Sequence, residues 1–239
     1  MFKKILFLAC AVLCQYQIWA HSSFKAESPN GSVVVTINLD QQISYRVDFK
    51  GTPIIESTPI EILLTDGKVW GKNPSLKKST ITKADKRLQT FAYFNSEITD
   101  NYKGIILQSK DGFAVEFRAY DDMACYRFIS ESDAELFVEN EKALFPFAAD
   151  YVAYAPYVIS KDNSFDTFRS QFNNTFENSY THGPLSRLNP RRLIFTPVAV
   201  EVSDNIKVVL AESDLEGYPG MYLNWNPSKK ALEGVFAPT

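Results

Sequence analysis

Sulfur and imidazole are scarce in this chain, which has three cysteines and two histidines in 239 residues. Cys10 and Cys14 fall within an N-terminal apolar run, so only Cys125 belongs to the body of the protein. An intramolecular disulfide is then impossible, which argues against a small disulfide-stapled domain and for one held by a large core. Cys125 lies in the strand-like stretch Met123–Phe128 and reads as a small buried apolar residue. His21 stands at the end of the N-terminal run, so His182 is the one histidine expected in an ordered position. A histidine-rich metal site and a Ser-His-Asp triad are correspondingly disfavoured. The chain also lacks G-x-S-x-G, H-E-x-x-H, the P-loop and the dinucleotide fingerprint. Basic residues are not in excess, at 25 against 28 acids, so no nucleic-acid partner is expected. No long stretch of helical period and no repeat of 20–50 residues occurs beyond the first residues.

The apolar run itself, Ile5 to Leu13, follows Lys3 and Lys4 and precedes Ile18-Trp19-Ala20. A positive start, a short apolar middle and a small residue at the end describe a signal peptide over residues 1–20, cleaved after Ala20. A membrane span needs ~20 apolar residues, about twice this run, so none is expected. The remaining residues, 21–239, are read as one exported domain, periplasmic or secreted. Loss of Lys3 and Lys4 makes the mature chain slightly more acidic.

Aromatic residues are abundant, at 14%, with 18 Phe and 12 Tyr. They favour strands, and exposed ones stack on sugars. Strict alternation marks Val33–Leu39 and Ile43–Phe49, joined by Asp40-Gln41-Gln42 as a hairpin. Lys50-Gly51-Thr52-Pro53 turns into Ile54-Ile55, and Ile60–Leu64 ends at Asp66-Gly67. Phe91–Phe94, Ile105–Leu107, Phe113–Phe117 and Ala124–Ile129 also read as strands, with Lys110-Asp111-Gly112 as a hairpin turn. Leu193–Val202, Lys207–Ala211, Gly220–Leu223 and Leu232–Phe236 complete the set. Residues 68–86 are lysine-rich and weakly patterned, and read as an exposed connection. Residues 139–190, rich in Phe, Tyr, Asn, Ser and Pro, read as a long functional loop. About a dozen short strands imply an all-β fold, a large two-sheet antiparallel β-sandwich, with a closed barrel as the alternative.

Few residues carry obvious chemistry. Asp121, Asp122, Asp214 and Glu216 could supply a carboxylate pair for glycoside hydrolysis, but each reads better as a turn residue. In Asn173–His182, Glu177 and the surrounding amides and hydroxyls offer the hard oxygen donors that calcium requires. One carboxylate does not make such a site alone.

Four stretches resemble the N-terminal region of glycoside hydrolase family 97, exported bacterial α-glucosidases and α-galactosidases. They are Ser28-Pro29-Asn30-Gly31 with the paired strands that follow as far as Ile55, Asp122–Phe128, Glu177-Asn178-Ser179-Tyr180-Thr181, and Ala211–Leu223 with its Tyr218-Pro219-Gly220-Met221 core. The last is the most specific. The resemblance implies a galactose-mutarotase-like supersandwich that packs on a following (β/α)8 barrel and a small C-terminal β domain. It further implies that the catalytic carboxylates belong to the barrel, which this chain lacks, and that the chain is inactive alone. The resemblance assigns Glu177 as the sandwich's one ligand to a calcium ion at the active site, and Asn178, Tyr180 and His182 to the sugar pocket. The substrate it implies is an α-glucoside or α-galactoside. A stand-alone carbohydrate-binding module, with Tyr151, Tyr154 and Tyr157 as stacking surfaces, is the alternative. A mutarotase-like enzyme is disfavoured by the scarcity of histidine.

Overall fold

Alternation of apolar and polar residues becomes alternation of buried and exposed side chains almost at once. The computed structural model describes residues 22–91, 94–159, 170–172, 179–213 and 215–237. Along strand β2 (Val33–Leu39) every second side chain is buried, and β3 (Ile43–Phe49) pairs with it antiparallel in the register Val33↔Phe49 to Leu39↔Ile43. β1 (Ser22–Glu27) and β4 (Thr52–Pro59) flank this hairpin, giving a sheet of order β1-β2-β3-β4.

β5 (Glu61–Leu64) and β6 (Val69–Trp70) lead to a long ribbon, β7 (Leu76–Gln89) with β8 (Glu97–Ser109). β9 (Phe113–Ala119) and β10 (Ala124–Ser130) extend it into the antiparallel order β10-β9-β8-β7. The inner face of this sheet, with Ile105, Leu107, Val115 and Phe117, packs on the first sheet through β1, β2, β8 and β9. The expected antiparallel sandwich is therefore present. Three smaller sheets complete it: β11 (Val138–Lys142) with β5 and β6; β12 (Leu144–Pro146) with β18 (Ala231–Phe236) and β17 (Met221–Asn226); and β14-β13-β15-β16. In the last, β13 is Val152–Ala155, β14 Thr181–Pro184, β15 Val198–Ser203 and β16 Ile206–Leu210. β12 lies against β4 and β11 against β18, so one core runs from Ile37 and Phe117 to Val200 and Leu223. A 3-10 turn spans Leu185–Arg187.

Four expectations are corrected. Residues 76–89 form the strand β7, not a connection. As an edge strand it is wet on both faces over most of its length, so burial imposes no apolar period, and its lysines guard a free edge. Phe91 and Phe94 stand at the tip of the β7–β8 ribbon with 99% exposure, beside a turn closed by the Thr90 N–H donating to the Ser96 carbonyl. Cys125 is exposed on β10, because it falls on the outer side of a strand whose inner residues are Tyr126 and Phe128. The stretch 139–190 also holds strands β12, β13 and β14 and most of β11, each too short to display a period.

Gly104 is required by close approach. A Cβ there would lie 2.6 Å from the Phe117 carbonyl oxygen and 2.8 Å from Thr82 Oγ1. The absent side chain lets Arg118 cross the strand and lay its guanidinium 4.4 Å from the centre of the Tyr102 ring.

Candidate functional site

The Ala211–Leu223 motif is a closed loop with both ends held. The Glu212 carboxylate accepts the Met221 N–H at 2.8 Å through both oxygens, joining the two arms of the loop near its ends. Gly217, at φ +68°, makes the reversal between them. Tyr218 reaches inward and donates its hydroxyl to Glu141 of β11 at 2.8 Å, while Tyr126 of β10 donates to the other oxygen at 3.4 Å. Tyr45 of β3 packs on Tyr126 with ring centres 5.3 Å apart. Burial pushes the Glu141 carboxyl above its usual range, against the opposing effect of the two tyrosine hydroxyls, and the neighbouring Glu212 adds to the rise. Burial also raises Glu212 itself. These carboxylates are committed to tyrosine and backbone donors, so their role is to hold the loop.

A pH prediction follows from these two groups. Their raised folded-state values favour the protonated forms in the native chain, so their contribution is complete below the ordinary glutamate pKa of ~4.3. It is lost as pH rises through the raised values. Glu141→Gln, which keeps an acceptor for Tyr218, is expected to flatten this loss and to be the more stable of the two proteins near pH 7. Urea unfolding from pH 5 to 8 measures it; parallel slopes in the two proteins would rule the assignment out.

The segment that carries Glu177 and Asn178 lies outside the described residues. Its flanks are held firmly. Gln171, 1% exposed, donates Nε2 to the Arg191 carbonyl at 3.1 Å and accepts the Leu193 N–H through Oε1 at 2.9 Å. The amide thus pairs with a passing backbone as a strand would. Phe172 stands edge-on to Tyr222 at 5.1 Å, and the Tyr222 hydroxyl donates to the Phe172 carbonyl at 3.4 Å. Isolated bridges Tyr157↔Ile194↔Leu223 tie these elements to β17. On the other side the chain enters β14, with Tyr180 exposed before it and His182 within it.

Of the sugar-pocket residues suggested by the resemblance, Tyr180 and His182 are described and the structure sets them apart by environment. His182 pairs in register with Tyr154, ring centres 4.5 Å apart. Among the three tyrosines considered for stacking, Tyr157 is buried and Tyr151 packs edge-on to Phe147, so Tyr154 alone occupies a sheet face. Its hydroxyl donates to Glu201 at 3.2 Å, and Lys207 Nζ lies 2.8 Å from the same carboxylate. Asp121, Asp122 and Glu216 lie in turns, as expected from the sequence. Asp121 accepts the Asn30 N–H at 2.9 Å at the β9–β10 turn, Glu216 is exposed in the Gly217 turn, and Asp214 lies outside the described residues. Glu141, Gln171 and Glu201 went unnoticed in the sequence. Each occurs singly in ordinary context, and only partners distant in the chain distinguish them. Among the described residues no group of three or more His, Cys, Asp or Glu side chains converges as a metal site.

Comparisons with known proteins agree with this architecture. Residues 26–238 match the family described as Glycosyl-hydrolase 97 N-terminal. A retaining alpha-galactosidase of Bacteroides thetaiotaomicron is 38% identical over 237 residues, covering 99% of this chain but 35% of that protein. A glycoside hydrolase family 97 enzyme from Pseudoalteromonas sp. strain K8, solved with acarbose, superposes with a TM-score of 0.70 at 17% identity, over 89% of this chain and 32% of its own. A beta-arabinopyranosidase superposes with a TM-score of 0.72 at 16% identity, over 89% and 35%. The chain thus spans about a third of these proteins.

Proposed function

Because the chain belongs to the glycosyl-hydrolase 97 N-terminal family, we propose that it is the sandwich of an exported α-glycosidase acting on α-glucosides or α-galactosides. In this reading residues 1–20 direct export to the periplasm or beyond and are removed. The sandwich packs on a catalytic (β/α)8 barrel, supplies Glu177 to a calcium ion there, and is inactive by itself. The observation that carries the reading is the match to nearly the whole of this chain and about a third of a retaining alpha-galactosidase.

The donor chemistry fits a shared ion and not a self-contained one. Calcium takes 6–8 oxygens, and the Glu177 segment offers one carboxylate with amide and hydroxyl neighbours. The remaining ligands must come from elsewhere. When bound, calcium would supply positive charge that polarises and orients the sugar. The chain's own part is to hold the Glu177 segment between the Gln171 and Tyr222 anchors and β14, with Asn178, Tyr180 and His182 toward the sugar.

The isolated chain is expected to give no turnover of p-nitrophenyl α-galactoside or α-glucoside. Exchanged for the corresponding region of the Bacteroides alpha-galactosidase, it should restore calcium-dependent turnover. In that chimaera Glu177→Ala should weaken calcium binding at least about 10-fold by direct titration, since each charged ligand sets affinity. Turnover by the isolated chain that survives Glu177→Ala would overturn the reading.

A further inference from the structure

The outer face of the β14-β13-β15-β16 sheet carries, beside His182, an ordered set of groups that the calcium site does not use. The register places His182, Tyr154, Ala199 and Val209 along one rung, each on a different strand. The adjoining rung is Pro184, Val152, Glu201 and Lys207. On the opposite face of the two central strands Ala153, Ala155, Val198 and Val200 are fully buried, so β13 and β15 are firmly seated beneath these side chains. His182 supports one side of the Tyr154 ring. On its other side the neighbour is the small Ala199, and Val209 beyond it is 59% exposed. Glu201 borders this step, fixed by the Tyr154 hydroxyl and by Lys207, and the Lys207 contact holds its carboxyl below the usual range.

We propose that this face is a non-catalytic carbohydrate-binding platform, on which a sugar ring stacks against Tyr154 over Ala199 and directs hydroxyls to Glu201 and Lys207. An aromatic ring beside a charged donor and a charged acceptor suits a pyranose, which presents an apolar C–H face edged by hydroxyls. A protein partner is the less suitable occupant, because interface cores are depleted in charged residues and here a charged pair adjoins the ring. The platform rests on the carbohydrate reading of the chain but on neither Glu177 nor calcium.

Calorimetric titration of the isolated chain with maltotriose and with raffinose, in EDTA, tests it. Binding of at least one sugar is expected in the millimolar range or tighter. Tyr154→Ala should weaken it at least about 10-fold, and Ala199→Leu, which fills the step, should do the same. Lys207→Ala, at an exposed position with little influence on folding, should weaken it several-fold, and Glu177→Ala should leave it unchanged. Retained heat in folded Tyr154→Ala and Lys207→Ala would overturn the proposal. So would the absence of heat with both sugars, or protection of Glu201 from carbodiimide in the chimaera with no sugar binding, which would mark the face as a domain interface. Loss of binding in Glu177→Ala would instead place the sugar at the Glu177 segment and overturn the platform.

Discussion

Phe117→Ala is expected to lower the free energy of unfolding by about 3–5 kcal/mol, the range for deleting a buried phenyl ring. Phe117 is 1% exposed and occupies the middle of β9, where both sheets of the sandwich meet. Its ring lies 6.0 Å from those of Tyr45 and Tyr126, which belong to opposite sheets. Removal therefore opens a cavity between layers that hydrogen-bonded strands cannot close by a small shift. It also takes away the packing that keeps Tyr126 directed at Glu141. Part of the cost should then appear in the Ala211–Leu223 loop as faster hydrogen exchange, in addition to the global loss read by urea unfolding. A loss below about 1 kcal/mol would mean that the two sheets collapse around the gap, contrary to a closely packed interface. Phe117→Leu, which keeps most of the volume, should cost much less.

Replacing both Arg118 and Arg127 by Leu is expected to destabilise the chain by about 3–5 kcal/mol, because it leaves a buried carboxylate without its cations. Glu116 is 3% exposed and receives Arg118 Nε at 2.8 Å on one oxygen and Arg127 Nε at 2.9 Å on the other. The register sets Glu116 directly beside Arg127, and Arg118 follows two residues on along the same face. The two single variants should differ. Arg127 is the more exposed, at 55% of its side chain against 28%, so its loss alone should cost about 1 kcal/mol. Arg118→Leu should cost more, since it also removes the cation over Tyr102. The cost of the double variant should exceed the sum of the singles, because either arginine alone still satisfies part of the carboxylate. A double-mutant cycle by denaturant unfolding measures this, and strict additivity would refute the shared-carboxylate account. Replacing Glu116 by Leu together with both arginines should recover much of the loss.

The paired strands β2 and β3 were legible because burial on one side writes a period of two into the residues. Val33, Val35, Ile37 and Leu39 show it without interruption. β7 was not legible, since an edge strand with water on both faces is held by backbone hydrogen bonds to β8, which any side chain permits. The same reason applies to β12 and β13, whose three and four residues are positioned by their neighbours. Cys125 was misplaced because small residues carry no clear mark of face, and its exposure follows from the register of β10 against β9.

The candidate site divides in the same way. The Glu212-to-Met221 loop announced itself as a motif with a turn at Gly217, and that turn is present. Its anchor Glu141 lies 77 residues from Tyr218, a separation across which sequence pattern carries no information. Gln171 and Glu201 likewise acquire meaning only from partners distant in the chain.

The amino-acid sequence by itself determined the all-β class, the paired strands of the first sheet and the family to which the chain belongs, because each is written in local period or in contiguous motif. Tertiary structure alone decided which of Tyr151, Tyr154 and Tyr157 reaches an open face, and which of many acids are buried against tyrosine or arginine. Those outcomes depend on register between strands distant in the chain, where a shift of one residue reverses every side chain from core to solvent.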